Sequence, residues 1–315
     1  MFELIRKNKL YFLALLLILA IAFFIRLQNI KSYNTYWADD GGGHITYTET
    51  ILYENRLATL DETYLAWHEP LYYYILTGWI KFGQLLGIEG LNWWETFNVL
   101  IYFGFLGLIW QFSYYYSKKN KWLALLNTFI FSILFVGVKL SAYINNELLL
   151  HTLIILLLLL FYKFKLATKG KELKVVYWAL ILALASLVKI SALIILLAVI
   201  VFYLLKYIFS QQKYFLKYIF IIFFVVFFVN IPWIAYKQQN YNTYFSINIY
   251  DDKPKQSIIK SDGWKYIFNI NTHIFTDYPY WFSKPDSYFS ILLSDSFGDY
   301  YNLFNYPGIE NNPED

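Results

Sequence analysis

Two adjacent aspartates, Asp39 and Asp40, follow the first strongly apolar segment of this 315-residue chain. Adjacent carboxylates repel each other, so one tends to hold its proton unless a cation lies between them. Such a carboxylate can act as a general base toward a hydroxyl or an amine. The alternative is structural, because Asp favours helix N-caps and a helix is predicted from His44 to Asn55. The residue types alone leave both interpretations open.

A second polar cluster is His68-Glu69-Pro70, which precedes an amphipathic stretch. His and Glu side chains are competent metal ligands, and Pro suits the first turn of a helix. The cluster therefore predicts either a metal or substrate site or a polar cap on an amphipathic helix.

Two further polar features interrupt apolar sequence. Asn145-Asn146-Glu147 separates two apolar segments, and ionisable groups at membrane depth are usually functional. Glu147 is otherwise a loop residue among lipid headgroups. Lys189 is flanked by apolar residues on both sides, and it suits a lipid phosphate or an acidic partner. Snorkelling to the membrane surface is the structural alternative for this lysine.

The composition places these clusters in a membrane protein. The chain is 58% hydrophobic and only 15% charged, whereas a soluble domain is usually about a quarter charged. It contains no cysteine, which excludes disulfides and thiolate metal sites. A metal would therefore need His, Asp or Glu ligands. The net charge of +4 does not indicate nucleic-acid binding.

We predict an all-α polytopic membrane protein with about seven transmembrane helices, since a span needs about 20 apolar residues. The apolar segments are roughly 10–25, 97–116, 122–143, 148–162, 175–188, 190–208 and 218–236. The first follows a basic N-terminus and lacks a small-residue cleavage site, so it is predicted to be a retained signal anchor. Lys189 divides an apolar run that is too long for one span.

The basic residues predict the orientation, because lysine and arginine concentrate in cytoplasmic loops. The clusters are Arg6, Lys7 and Lys9; Lys118, Lys119 and Lys121; Lys163, Lys165, Lys169, Lys171 and Lys174; and Lys206, Lys213 and Lys217. If all are cytoplasmic, the N-terminus is cytoplasmic and residues 27–96 form a long outer loop. An even number of crossings between the clusters then makes Leu71–Leu86 a helix in the membrane interface.

This topology predicts two regions. Residues 1–236 form the transmembrane module, including the outer loop 27–96. Residues 237–315 form a polar, tyrosine- and asparagine-rich extracytoplasmic region of short helices and loops. The four polar clusters then share the outer side, where they suit an amphiphile with a phosphate at the headgroup level.

The order of these motifs resembles the GT-C glycosyltransferases that use polyprenyl-phosphate-linked sugars, such as bacterial protein O-mannosyltransferase and aminoarabinose transferase relatives. The matching stretches are Asp39-Asp40, His68-Glu69-Pro70-Leu71-Tyr72-Tyr73, Asn145-Asn146-Glu147 and Ser186-Leu187-Val188-Lys189. The resemblance covers about residues 10–236. Glu69 stands where the family has proline. The family also continues with more spans, and Leu293–Tyr300 looks like the segment before them, so further spans are expected to follow.

The resemblance implies an integral inner-membrane transferase with its active site on the extracytoplasmic face. Its catalytic carboxylates would be Asp39 and Asp40. The donor would be held by the substrate-binding residues Lys189, His68, Glu69, Asn146 and Glu147. A divalent metal on His68 and Glu69 is a further expectation. The partners would be a polyprenyl-phosphate-sugar donor, an acceptor that is a glycan, lipid or protein, and the membrane, with no nucleic acid.

Two other classes of function stay open from the sequence. A transporter or flippase of lipid-linked glycans would place charges near the membrane midplane and often shows inverted repeats. Here the ionisable residues lie at the ends of the predicted spans, and no repeat is evident. A non-catalytic membrane scaffold whose long outer region binds partners is the other alternative.

Overall fold

The computed structural model describes residues 9–32, 35–37 and 40–241, and every regular element in these ranges is helical. The helices are α1 (Lys9–Ser32), α2 (Gly41–Glu54), α3 (Leu71–Leu85), α4 (Leu91–Tyr116), α5 (Lys121–Ile133), α6 (Phe135–Leu140), α7 (Glu147–Phe164), α8 (Glu172–Val188), α9 (Leu193–Ser210) and α10 (Tyr214–Tyr241). The chain divides into two compact units, Met1–Ile249 and Tyr250–Asp315, and the described residues belong to the first. The predictions for residues 242–315, including Leu293–Tyr300, lie outside the described residues.

Five of the described helical segments are long and apolar enough to cross a membrane: Lys9–Lys31, Leu91–Tyr116, Glu147–Phe164, Ile190–Ser210 and Tyr214–Tyr241. The prediction of an all-α chain with several membrane-spanning helices is confirmed at this level. The helix predicted at 71–86 is present as α3, with 15 residues, and the helix predicted after Asp40 is present as α2.

The apolar segment 122–143 is not one continuous helix. It breaks at Leu134, whose backbone is extended (φ −61°, ψ 124°), so α5 has 13 residues and a length of about 20 Å. Carbonyl groups in the last turn of a helix lack intrahelical partners. Arg26 on α1 supplies one, since its Nη1 donates to the Ser132 carbonyl at 2.7 Å. This contact joins residues that are far apart in the chain, so the local sequence does not indicate it.

The predicted division of the 175–209 run at Lys189 is confirmed. Helix α8 ends at Val188, Lys189 is extended (φ −159°, ψ 132°), and a short 3-10 turn, Ile190–Ala192, leads into α9. At this junction the Ile190 backbone N–H donates to a side chain of another segment instead of to its own helix.

Side-chain contacts identify which helix ends lie together. Asn98 near the start of α4 donates to the Asn145 carbonyl just before α7, at 3.2 Å. Near the other ends of the same helices, Lys163 donates to Gln111 at 3.1 Å. Helices α4 and α7 therefore run in the same direction.

The same reasoning applies to α8 and α10. Asn230 donates to Ser186 at 2.9 Å, and Lys217 pairs with Glu172 at 3.2 Å, so these two helices also run in the same direction. Asn146 connects the pairs by donating to the Val188 carbonyl at 3.1 Å. We call this end of the bundle, formed by the starts of α4 and α7 and the ends of α8 and α10, the site end.

Helix α3 is fixed against α4 by two tryptophans. The rings of Trp79 and Trp93 stack with centroids 4.5 Å apart, and each indole N–H donates to the other residue's carbonyl, at 3.1 and 3.2 Å. Gly83 makes the approach feasible, because a Cβ there would lie 2.0 Å from Nε1 of Trp93. The pair therefore sets the position of α3 and of the His68-Glu69 segment that precedes it.

Replacing Gly83 with alanine is expected to destabilise the protein, because a rigid indole ring must move; overpacking of this kind costs about 1–3 kcal/mol. Gly78→Ala on the same helix is the matched control, since a Cβ there meets nothing within 4 Å. The measurement is the thermal transition of the detergent-solubilised protein. Equal transitions for the two variants would contradict this account of the α3–α4 contact.

Candidate functional site

The centre of the site end is the carboxylate of Glu69, whose side chain is only 3% exposed. Its Oε1 accepts a hydrogen bond from Lys237 Nζ at 2.9 Å. Its Oε2 accepts one from the backbone N–H of Ile190 at 3.1 Å. Glu69 therefore joins the segment before α3 to the end of α10 and to the junction after α8.

A second ion pair lies beside the first. The ammonium group of Lys189 contacts the carboxylate of Glu147 directly, which connects the α8–α9 junction to the start of α7. This pair is more accessible, with side-chain exposures of 29% and 34%. Asn146 is buried and donates to the Val188 carbonyl. The structure thus brings the predicted residues Glu69, Asn146, Glu147 and Lys189 together.

Lys237 is a site residue that the sequence analysis missed. The apolar segment was predicted to end at residue 236, but α10 continues to Tyr241. Lys237 is 2% exposed, and its Nζ lies 5.1 Å from the centroid of the Trp233 ring. The spacing in the sequence could have identified Lys237, because Trp233 and Lys237 are four residues apart and so share one face of a helix.

An apolar groove of about 250 Å³ adjoins the Glu69–Lys237 pair. Its walls come from α8, α9 and α10, together with the residues at the junction: Ser186, Ile190, Leu193, Leu196, Phe223, Val226, Phe227, Asn230, Trp233 and Ile234. Phe223 and Phe227 are about half exposed on the outside of the bundle, so the groove opens sideways. The Trp233 indole N–H is buried and has no hydrogen-bond partner among the described residues.

A buried cluster of two histidines and a tyrosine lies beside the ion pairs. The Tyr73 hydroxyl is 2.8 Å from Nδ1 of His44 and 3.4 Å from Nδ1 of His68. Burial lowers the pKa of His68 to about 3, and the charges of Lys189 and Lys237 add to this effect. Burial also holds the pKa of His44 well below its ordinary value. Both rings are therefore neutral near pH 7.

The predicted catalytic pair is only partly described. Asp39 lies outside the described residues. Asp40 occupies the N-cap position of α2, as the structural interpretation predicts, but its backbone is left-handed (φ 60°) and its side chain makes no capping hydrogen bond. Its carboxylate is exposed and accepts a hydrogen bond from the Tyr64 hydroxyl. Asp40 is therefore accessible from outside the bundle.

The described residues do not support a metal site. Within them, no three His, Cys, Asp or Glu side chains converge in an arrangement that could hold an ion. Both oxygens of Glu69 are already engaged, by Lys237 and by the Ile190 N–H. Glu69 in this position does not suit a divalent cation, and the metal predicted on His68 and Glu69 gains no support from these contacts.

Asn98 positions the turn that carries Asn146 and Glu147. Its Oδ1 accepts from the Tyr72 hydroxyl at 3.1 Å, and its amide donates to the Tyr143 carbonyl at 2.6 Å. Asn98 was included in an apolar segment and was not predicted to have a role. A single buried amide inside an apolar run is the signal that could have identified it, since buried polar groups are almost always hydrogen-bonded.

Searches with this chain found no matching protein-family model, no matching characterised protein and no matching solved structure. The resemblance to GT-C transferases therefore depends on the motifs in the sequence. The geometry of the site end is the basis for what it can bind.

The neutral buried histidines predict a loss of stability at low pH. Unfolded histidine takes up a proton near pH 6.5, whereas folded His68 does so only near 3. Below pH 6.5 the unfolded state therefore binds more protons than the folded state. The free energy of unfolding decreases as the pH is lowered through that range, by up to about 1.4 kcal/mol per pH unit for each histidine. We expect the thermal transition to fall between pH 7.5 and pH 5.

The matched variant is His68→Gln, which removes one titrating ring and keeps a polar side chain. Its thermal transition should depend less steeply on pH than that of the wild type over the same range. An identical pH dependence in both proteins would contradict a buried neutral His68.

Proposed function

We propose that this chain is a membrane-embedded glycosyltransferase that moves a sugar from a polyprenyl-phosphate-linked donor to an acceptor at the outer face of the membrane. The observation that carries this proposal is the position of the Lys237–Glu69 pair at the polar end of an apolar, sideways-open groove. A ligand that fits both parts is an amphiphile with an apolar chain and an anionic headgroup.

The groove suits the lipid part of such a donor. Its walls are almost entirely apolar, and its polar residues lie toward the site end, where α10 reaches Lys237. An exposed apolar groove in a membrane helix bundle admits a chain from the lipid phase. The buried Trp233 N–H, which lacks a partner among the described residues, is a donor available to the headgroup oxygens.

The ion pairs suit the leaving group. In the proposed reaction the bond between the anomeric carbon and the phosphate oxygen breaks, and a bond forms between that carbon and the acceptor atom. The phosphate leaves with an additional negative charge, and placed cations stabilise such charge in the transition state. Lys189 is the better candidate for direct contact, because its pair with Glu147 is partly exposed and can exchange partners.

The acceptor must lose a proton as this bond forms. Asp39 and Asp40 are proposed to take it, as general bases near the start of α2. Asp40 is exposed, so an acceptor can reach it from outside the membrane. Asp39 keeps the role of principal base that the GT-C resemblance implies.

The proposed topology has seven spans with a cytoplasmic N-terminus. Its spans are the five long apolar segments, a sixth span formed by α5 together with α6, and a seventh formed by α8, which has 17 residues. The basic residues Lys163 and Lys217 lie at the end of the bundle opposite the site end, which agrees with a cytoplasmic position for the basic loops. The site end is then extracytoplasmic, and α3 lies in the membrane interface.

The test is donor turnover by the reconstituted protein. Vesicles would contain polyprenyl-phosphate-linked hexose and pentose donors, with membranes of the native host as the acceptor source. Release of polyprenyl phosphate is the readout. Lys189→Ala and Asp39→Asn are each expected to lower kcat/KM by about 100-fold or more, the usual effect of removing one charge-stabilising or proton-accepting group.

The buried Glu69–Lys237 pair must be tested by a double substitution, because removing one partner leaves an uncompensated buried charge. The double variant Glu69→Met with Lys237→Met removes both charges and should fold, but it should not turn over donor. Lys217→Met is the control, since it removes an exposed lysine at the other end of α10 and should keep wild-type rates. Wild-type rates in the site variants, or movement of donor across the membrane without its cleavage, would overturn the proposal.

A further inference from the structure

A second apolar groove, of about 270 Å³, lies between helices that do not line the groove beside Glu69. Leu134, at the break after α5, and His151, on α7, both line it and are both exposed, Leu134 to 46%. The second groove therefore opens on the outside of the bundle. Its other walls include Tyr102 and Phe105 on α4 and Leu148 and Ile155 on α7.

The second groove has a polar end at the site end of the bundle. Leu148, His151 and Ile155 are three and four residues apart, so they share one face of α7. Glu147, which pairs with Lys189, is four residues before His151 and so lies at the start of the same face. From Glu147 to Ile155 the helix extends about 12 Å. The groove thus runs along the bundle, away from the Lys189–Glu147 pair.

His151 is a polar group that is open to a ligand in this groove. Its side chain is exposed, and its ring forms no hydrogen bond within the described part of the chain. The charges of Glu147 and Lys189 both act on it. A polar ring on the outside of an apolar membrane helix is costly. A headgroup oxygen of a bound amphiphile would supply the partner that lipid chains cannot.

The wall of the second groove also has a fixed positive charge behind it. The Arg26 guanidinium lies 4.0 Å from the centroid of the Tyr102 ring, which lines the groove. Arg26 is fully buried, and its Nε and Nη2 atoms have no partner. Among the described residues no carboxylate forms an ion pair with it, and buried Glu95 on α4 accepts from Thr35 instead. A positive charge in a low-dielectric interior acts over several ångströms, so it favours an anionic ligand here.

The two grooves end at neighbouring residues of one junction. Ile190 lines the groove beside Glu69, and its N–H donates to Glu69. Lys189, the residue before it, pairs with Glu147 at the end of the second groove. Two amphiphiles with their chains in separate grooves would have their headgroups side by side. Transfer between two bound molecules requires this proximity.

We propose that the second groove is the acceptor site, and that the acceptor is an anionic lipid whose apolar chain lies in this groove. The acceptor role rests on the proposed function, whereas binding of an anionic lipid does not. Among the acceptor classes left open by the sequence, the groove selects the lipid. The donor chain and the acceptor chain then enter from different sides of α8, and their headgroups meet at Lys189.

The binding test is photocrosslinking of the full chain in lipid nanodiscs. The probe is lysophosphatidylglycerol, an anionic single-chain lipid, with a photoactivatable diazirine in its chain. Mass spectrometry of the peptides is expected to place the crosslinks on the groove walls between Leu134 and Ile155. Unlabelled lysophosphatidylglycerol should compete, and zwitterionic lysophosphatidylcholine should not. Crosslinks spread evenly over all outward-facing helices, or equal competition by both lipids, would overturn the anionic-lipid site.

A filling substitution tests the groove itself. Ile155→Trp places a large side chain in the second groove and should abolish crosslinking to α6 and α7. Leu158→Trp is the matched control, because Leu158 is 43% exposed on the same helix and does not line the groove. This control should keep the wild-type crosslinks. Equal crosslinking in the two variants would contradict binding in the groove, and the competition experiment on the wild type decides the matter if Ile155→Trp does not fold.

The acceptor role is tested by kinetics with lipid extracts of host membranes as the acceptor source. Ile155→Trp should raise the KM for the lipid acceptor about tenfold, equivalent to about 1.4 kcal/mol of binding free energy, and leave the donor KM unchanged. Leu196→Trp, which fills the groove beside Glu69, should do the reverse.

Two outcomes separate this inference from the proposed function. Donor turnover only with a lipid-free glycan or protein acceptor would overturn the acceptor role and leave the transferase standing. Absence of donor turnover with every acceptor would remove the proposed function together with the acceptor role, and the crosslinking result would still decide whether the second groove binds an anionic lipid.

Discussion

The site end depends on a single buried carboxylate, that of Glu69. Moving a carboxylate and an ammonium group from water into a protein interior costs several kcal/mol per ion, which only good geometry and further hydrogen bonds offset. Glu69 meets that condition, because one oxygen pairs with Lys237 and the other accepts the Ile190 N–H. Its partners lie 168 and 121 residues away in the chain. The ends of α8 and α10 therefore cannot separate from α3 without exposing an unpaired charge.

The same requirement shapes the groups around Glu69. Two buried amides nearby end on backbone groups: Asn98 on the turn before α7, and Asn146 on the last carbonyl of α8. His44 and His68 avoid an unpaired buried charge in another way, because both rings stay neutral and both contact the Tyr73 hydroxyl. A charged imidazole beside two lysines would be unfavourable in this environment, so burial and the lysine charges act in the same direction on His68.

The sequence was sufficient for features that depend on local pattern. Apolar segments predicted the helices, and Lys189 correctly divided the 175–209 run, because a charge within a long apolar stretch marks a change in the chain. The sequence was not sufficient for features that involve contacts between residues far apart in the chain. Near the break at Leu134, the Ser132 carbonyl accepts a hydrogen bond from Arg26 on another helix. Lys237 was assigned to the polar tail because its partner, Glu69, lies far away in the chain. Tyr73 and Asn98 were hidden among apolar and aromatic residues for the same reason.

The two ion pairs differ in exposure, and that difference separates their roles under the proposed function. A partly exposed pair contributes little to stability, so Glu147 can leave Lys189 for water when an anionic headgroup arrives. Glu69, at 3% exposure, has no such alternative, and Lys237 must act on the headgroup as a fixed charge within a neutral pair. The four charges sum to zero before the donor binds. Charge that develops on the leaving phosphate would therefore find one lysine free to contact it directly and another held in place nearby.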